Sequence, residues 1–323
     1  MTNENNLAAS RRNLLIGAAS AVAGVGLVAA TGTASAAAKG TADIKVVSKT
    51  ANTITTKDGT QIYYKDWGKG PTVVFTHGYP LSSDAWENQM FFLAQNGFRV
   101  IAHDRRGFGR SSQPSNGYDY DTFADDLATV VEALDVKDAV FVGHSMGGGE
   151  VARYIARHGE KRVRKVAFVA AVTPFLLKTD SNPGGVPKEF FDTFRAAVTT
   201  DRSQWNKDVS MPYYNYNRTG AKVSEGVREE YWRQGQATGF MAAYHALGAF
   251  SETDFRDDLK KITVPALVIH GSDDQIVPIE LSGKLAVTYL KNGKLKIYEG
   301  GSHGLIVTDK EKLNADLLEF AKA

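Results

Sequence analysis

The feature that most constrains how this chain can fold is Gly143-His144-Ser145-Met146-Gly147, a Gly-x-Ser-x-Gly pentapeptide between two apolar runs of different period. Ala139-Val140-Phe141-Val142 has the β-branched and aromatic content of a buried parallel strand. Gly148 to Arg157 spaces its apolar residues as a helix does. A serine on so tight a strand-to-helix turn is held in strained backbone geometry. Small residues at 143 and 147 let the two elements approach. A phosphate loop would end in Gly-Lys-Ser/Thr, which this turn lacks. A purely structural turn remains an alternative, but the flanking strand and helix favour a nucleophile.

A serine hydroxyl needs a base to take its proton and an acid to orient that base. An elbow of this kind takes the acid, then the histidine, from further along the chain. The chain has 7 histidines. Beyond the serine, His158 ends the elbow helix, His245 lies in an aromatic helical segment and His270 ends a strand. His303 is left, in the loop Gly300-Gly301-Ser302-His303-Gly304 after the strand Lys294 to Tyr298. The acid should follow the preceding strand, Pro265 to His270. There Gly271-Ser272-Asp273-Asp274-Gln275-Ile276-Val277-Pro278 selects Asp274, with Asp273 as the alternative. If both merely ended a turn, His303 would be unpaired.

The strand Thr72 to Thr76 runs into His77-Gly78-Tyr79-Pro80. The backbone N–H groups of Tyr79 and Met146 are the candidate donors to a developing oxyanion. Pro80 has no N–H; it fixes the turn and leaves the preceding carbonyl aimed at a bound species. His77 reads as a turn-stabilising histidine rather than a second base. Asp104-Arg105-Arg106-Gly107 reads as a structural turn with ion pairing.

Strands alternate with helices from residue 72 onward, after a hairpin through Asp58-Gly59. That order predicts an α/β fold with a mostly parallel central sheet covered on both faces. Between Pro174 and about Thr253 the pattern changes to helical segments, near 188–198 and 225–237, dense in aromatics. We therefore expect a helical cap, 174–253, inserted after the sixth strand of a core made of 37–173 and 254–323. Most cap aromatics should pack its own core. Phe175 and Trp232, with Met146, are the candidates for lining an apolar pocket. Arg218 and Arg233 could meet a carboxylate but read better as surface residues.

Residues 1–36 form a separate unit. Ser10-Arg11-Arg12-Asn13-Leu14-Leu15, an Ala/Gly/Val run and Ala34-Ser35-Ala36 predict a cleaved twin-arginine signal peptide, and hence a periplasmic or secreted protein without a stable membrane anchor. With no cysteine, neither a disulfide nor a lipoprotein anchor can form. Roughly 285 residues remain, enough for one well-buried domain with an insertion. The net charge of +2 and the lack of a basic stripe give no reason to expect a nucleic-acid partner. No metal-ligand spacing occurs.

FTHGYPLS (75–82), HDRRGFGRS (103–111), YDYDTFADD (118–126), VGHSMGGGEVARYIARH (142–158), AFSETD (249–254) and VIHGSDDQIVP (268–278) together resemble one branch of the α/β-hydrolase superfamily. It is the cofactor-free haloperoxidase, or arylesterase and perhydrolase, branch. The resemblance runs from about residue 50 to the C-terminus. It implies the α/β-hydrolase fold, Ser145 as nucleophile, Asp274 as acid, His303 as base, oxyanion donors at Tyr79 and Met146, and no metal, haem or other cofactor. It also implies a small ester or carboxylic acid as substrate and hydrogen peroxide as a co-substrate that replaces water on the acyl-enzyme to give a peroxyacid. Members resembling haloperoxidases tend to carry a proline where Pro80 stands. Two departures, His144 and Tyr79 where the family often has Phe and Trp, bear on substrate preference. Other readings keep the fold for lactone hydrolysis or C–C cleavage, or make it a non-catalytic binding protein. Ser145 argues against a dehalogenase, which usually places Asp at the elbow. The acyl group, the halide and assembly into a homo-oligomer are left open.

Overall fold

A hairpin opens the sheet in the computed structural model of the protein, which describes residues 52–221 and 223–323. The expected signal segment, 1–36, lies outside the described residues. Strand β1 (Thr53–Thr55) pairs antiparallel with β2 (Gln61–Trp67), turning through Asp58 and Gly59. Gly59 sits at φ +86°, a conformation that costs a glycine little. The alternating part follows as β3 (Thr72–Thr76), α1 (Glu87–Gln95), β4 (Arg99–His103), α2 (Tyr120–Ala133), β5 (Ala139–His144), α3 (Met146–His158) and β6 (Val163–Val169). Helix α2 starts where Asp119 caps it, accepting the Thr122 N–H at 2.9 Å.

Three longer helices make up most of the insertion: α4 (Lys188–Tyr213), α5 (Glu225–Ala237) and α6 (Phe240–Glu252). The chain then returns to the core through α7 (Arg256–Lys260), β7 (Ala266–Gly271), α8 (Gly283–Tyr289), β8 (Gly293–Tyr298), α9 (Leu305–Thr308) and α10 (Lys310–Lys322). Helix α4 runs well past the expected stop near residue 198 because it is two helices joined at a break. Asp201 leaves helical geometry (φ −153°, ψ 84°), and its carboxylate accepts the Gln204 N–H at 2.9 Å, capping the second piece. That second piece carries Tyr213 to the site described below.

Among the described residues the sheet has eight strands in the order β1-β2-β4-β3-β5-β6-β7-β8. β2 joins β4 antiparallel, and the remaining pairs from β4 to β8 are parallel. β5 is buried along its whole length, as an apolar run between two helical layers requires. Its side chains alternate between the faces. Phe141 joins a cluster with Phe123, Leu127, Val151 and Phe168, while Val140 and Val142 join Phe75, Trp86, Met90 and Leu313. Each such fully buried side chain contributes roughly 1.5–3 kcal/mol. The carboxyl ends of β3, β5, β7 and β8 deliver Tyr79, Ser145, Asp274 and His303.

Candidate active site

The elbow has the strain expected of it. Ser145 has φ +53° and ψ −121°, left-handed backbone that a non-glycine residue rarely adopts. The turn closes only because its glycines lack side chains. A Cβ on Gly143 would lie 2.4 Å from the Gly147 carbonyl oxygen, and one on Gly147 would lie 2.3 Å from that of Thr76. The Ser145 N–H is used inside the sheet, donating to Val169 O at 3.0 Å. Its hydroxyl therefore stands at the start of α3, with the N-terminal end of the helix dipole beneath it.

Ser145, His303 and Asp274, 158 and 29 residues apart in the chain, come into one hydrogen-bonded line. Ser145 Oγ lies 2.9 Å from His303 Nε2, and His303 Nδ1 lies 2.7 Å from Asp274 Oδ2. A carboxylate only accepts, so Nδ1 carries the ring proton and Nε2 is free to accept from the serine hydroxyl. The other carboxylate oxygen, Oδ1, accepts the N–H groups of Ile276 and Val277 at 2.9 and 2.8 Å. Burial pushes the Asp274 carboxyl up, but the charge of His303 and hydrogen bonds from His270 and His303 outweigh it, holding the group well below the usual carboxylate range. Asp273 points elsewhere. It accepts from Arg218 at 2.8 and 3.0 Å and from Asn215 at 3.0 Å, at the surface.

The loop that carries His303 is fastened at both sides. Gly304 N–H donates to Tyr213 O at 2.8 Å, and the Tyr213 ring meets the His303 ring edge-on at 5.0 Å between centroids. His144, inside the pentapeptide, lies 3.0 Å through Nε2 from the carbonyl of His303, which it can only serve as donor. Burial, and then the neighbouring His303, push the His144 pKa down to about 3, so this ring is a neutral donor. The motif gave no sign that its variable second position would bind the backbone of His303. His270, read from sequence only as a strand end, comes within 3.2 Å of Asp274 Oδ2.

Among the described residues, neither the Tyr79 nor the Met146 N–H donates to a protein acceptor. The loop carrying Tyr79 is fixed from below. The Arg105 N–H donates to His77 Nε2 at 3.0 Å, so the ring proton sits on Nδ1 and donates to Gly78 O at 2.8 Å. His77 is thus a turn-holding group; burial and the Arg105 charge keep its pKa well below the ordinary value. The Arg105 guanidinium also donates to His77 O at 2.9 Å and forms a fully buried ion pair with Glu150. Arg106 pairs with Asp126 at 2.5 Å, and Arg110 with Asp104 at 3.0 Å, so the 104–107 segment is the ion-paired turn expected.

A cavity of about 430 Å³ lies over Ser145 and His303. Cap and core supply its apolar wall, including Leu176, Phe191, Phe194, Trp205, Leu247 and Phe250. Tyr79 lines it as well, its hydroxyl donating to Ala243 O of α6 at 2.9 Å. The pocket candidates from sequence need correction. Trp232 is outside this cavity; its indole N–H donates to Ser203 Oγ at 3.1 Å and Lys207 lies over its ring. Phe175 is buried beneath the Arg256 guanidinium instead. The Met146 side chain points into the core toward Arg105, and the Pro80 carbonyl accepts from Thr238 Oγ1 at 2.8 Å. Helical period alone could not separate the cap's inner aromatics from its outer ones, because both faces carry rings. Arg218 and Arg233 pair with Asp273 and Glu230 and do not line the cavity. Among the described residues no three His, Asp or Glu side chains group as a metal site, and no helix is long and apolar enough to cross a membrane.

Comparison with known proteins agrees with this geometry. The family profile described as "alpha/beta hydrolase fold" matches residues 71–310. A non-heme haloperoxidase of Rhodococcus erythropolis is 54% identical over 271 residues, covering 84% of this chain and 99% of that protein. A bifunctional esterase/perhydrolase of Acinetobacter calcoaceticus is 53% identical over 273 residues, with the same coverage of each. Among solved structures, the bromoperoxidase from Bacillus anthracis superposes with a TM-score of 0.79 at 43% identity, over 82% of this chain and 96% of that one.

Proposed function

The chain belongs to the α/β-hydrolase family, and on that premise we propose that it is a serine esterase that also performs perhydrolysis, making peroxyacids from carboxylic acids and hydrogen peroxide. The observation that carries the reading is the unbroken line from Asp274 through His303 to Ser145 at the floor of an apolar cavity. Ser145 Oγ attacks the carbonyl carbon while His303 Nε2 takes its proton and passes it to the departing alkoxide or hydroxide. The carbonyl oxygen, negative in the tetrahedral intermediate, faces the Tyr79 and Met146 N–H groups. Water or hydrogen peroxide then gives a proton to His303 and attacks the acyl-enzyme. Collapse expels Ser145 Oγ, which takes that proton back, leaving the acid or the peroxyacid. The peroxyacid can oxidise a halide away from the serine, so this route needs no metal or haem. Relatives named for haloperoxidase and for combined esterase and perhydrolase activity support both acceptors.

Among the described residues no Asp, Glu, Lys or Arg lines the cavity, which favours a neutral alkyl or aryl acyl group over one with a second charge. Pro80 enters the reading through the turn it fixes, which leaves the Tyr79 carbonyl available to the second O–H of peroxide. The test sets p-nitrophenyl acetate hydrolysis beside acetate-dependent monochlorodimedone bromination in one preparation. Ser145→Ala should lose both by about 10⁴-fold or more, and Pro80→Leu should lower bromination relative to hydrolysis. Bromination that survives in Ser145→Ala would refute the mechanism. Export by the twin-arginine route belongs to the same reading, and replacing Arg11 and Arg12 with Lys should retain the protein in the cytoplasmic fraction.

A further inference from the structure

Asp274 is served by two imidazoles, and only one of them has a part in the reaction described above. Oδ1 is occupied by the Ile276 and Val277 N–H groups, so Oδ2 is the oxygen left for side chains. It lies 2.7 Å from His303 Nδ1 and 3.2 Å from His270 Nε2. His270 Nε2 also lies 2.9 Å from Val277 O. Both of these neighbours only accept, so Nε2 carries the proton and shares it between them. The Ser282 hydroxyl, 3.4 Å away, spends its own proton on Pro278 O at 2.8 Å. His270 Nδ1 is buried and has no partner among the described residues. The ring is fully buried at the end of β7, and Gly283 of α8 comes so close that a Cβ there would lie 3.0 Å from it. It is held in place and cannot turn its N–H away.

We propose that His270 is a positioning residue that fixes the Asp274 carboxylate from behind and, by competing for Oδ2, limits how strongly the carboxylate holds a protonated His303. The proposal rests on the reading of Asp274 as acid and His303 as base. A hydrogen bond already accepted by a carboxylate oxygen withdraws part of the charge a second donor would feel. With His270 present, Oδ2 divides its charge between two N–H groups, and His303 sheds its extra proton at a lower pH. The other ionisable groups around the pair are His144, whose donor is committed to the His303 carbonyl, and Tyr213, whose burial pushes its phenol up so that it stays neutral. His270 thereby extends the active, unprotonated state of His303 toward acid. A purely structural histidine that only ties Val277 to β7 would stiffen the loop without this effect.

The experiment uses His270→Phe and His270→Gln in the full enzyme. The kcat/KM of p-nitrophenyl acetate hydrolysis is followed against pH, and the His303 imidazole is titrated by NMR. In His270→Phe the acid limb should move up by about half to one pH unit, a further 3- to 10-fold loss at the acid end of the profile. The change should fall in kcat rather than KM. His270→Gln, which restores an N–H donor, should recover part of the shift. The NMR titration reads His303 even if the protein proves not to be an esterase, so failure of the functional reading and failure of this proposal are separable. Acid limbs and His303 titrations that coincide with wild type in folded His270→Phe would overturn it. If that variant does not fold, His270→Asn, too short to reach Oδ2, decides by the same criterion.

Discussion

Two buried histidine–carboxylate pairs lie in the same core and have different fates. His303 meets Asp274 at 2.7 Å, and His103 meets Glu150 at 2.9 Å; all four side chains are at most 1% exposed. The pairs differ in what lies beyond them. The far nitrogen of His303 reaches Ser145 Oγ at the floor of the cavity, whereas His103 Nδ1 is buried with no partner among the described residues. Among the described residues Asp274 has only imidazole and backbone donors, while Glu150 is also clasped by the Arg105 guanidinium. A buried carboxylate beside a histidine is therefore no sign of catalysis by itself. The first pair can pass a proton outward. The second neutralises an arginine that holds the turn carrying Tyr79 through His77.

The largest effect that separates the pairs is on rate. Asp274→Asn keeps the shape but cannot hold the His303 Nδ1 proton as a carboxylate does, and kcat should fall by about 10⁴-fold with Tm little changed. Glu150→Ala should do the reverse. It strands a buried guanidinium and should cost about 3–5 kcal/mol of stability. That is a fall in Tm of roughly 5–8 °C for a chain of this size, with any activity lost in proportion to unfolding. Glu150 also sets a pH window. Burial would raise its carboxyl, but Arg105 and His103 bring the folded value down to about 2, against 4.5 in the unfolded chain. Its contribution is complete above pH 4.5 and drains as pH falls toward 2, so the Tm difference between wild type and Glu150→Ala should shrink over that range. A Glu150→Ala protein with wild-type Tm and lost turnover would erase the contrast.

The readable part of this molecule was local in sequence. The strand–elbow–helix unit announces itself because period, glycine placement and the serine lie within about twenty residues. The order of acid and histidine then follows from topology, which brings the ends of β7 and β8 to the same sheet edge as β5. What escaped was set by tertiary contact. Nothing in the chain says that His144 would donate to a carbonyl 159 residues away, or that His270 would share Asp274. The cap was legible as a helical, aromatic insertion. Which of its rings face inward was not legible, because the helices carry rings on both faces. Trp232 and Phe175 lie outside the wall, and Trp205 and Phe194 line it instead.

The smallest effect tests the one ambiguity that sequence left in the acid. Asp273 and Asp274 are neighbours, and either could end the strand before the base. In the fold, the Asp274 side chain is 0% exposed and bonded to His303, whereas the Asp273 side chain is 37% exposed and bonded to Arg218 and Asn215. A pair so open to water is weakly coupled to anything beyond its own contacts. Asp273→Asn should change kcat/KM by less than about twofold, measured on the same ester as Asp274→Asn. The effect need not be zero. Asn215 and Arg218 follow directly on α4, whose last residue, Tyr213, packs against the His303 ring, so loosening them lets that contact drift. Such drift should appear as a small rise in KM with kcat kept, because Tyr213 also lines the cavity. A thousandfold fall in kcat for Asp273→Asn, with Asp274→Asn active, would exchange the two roles and remove the carboxylate from the line that ends at Ser145.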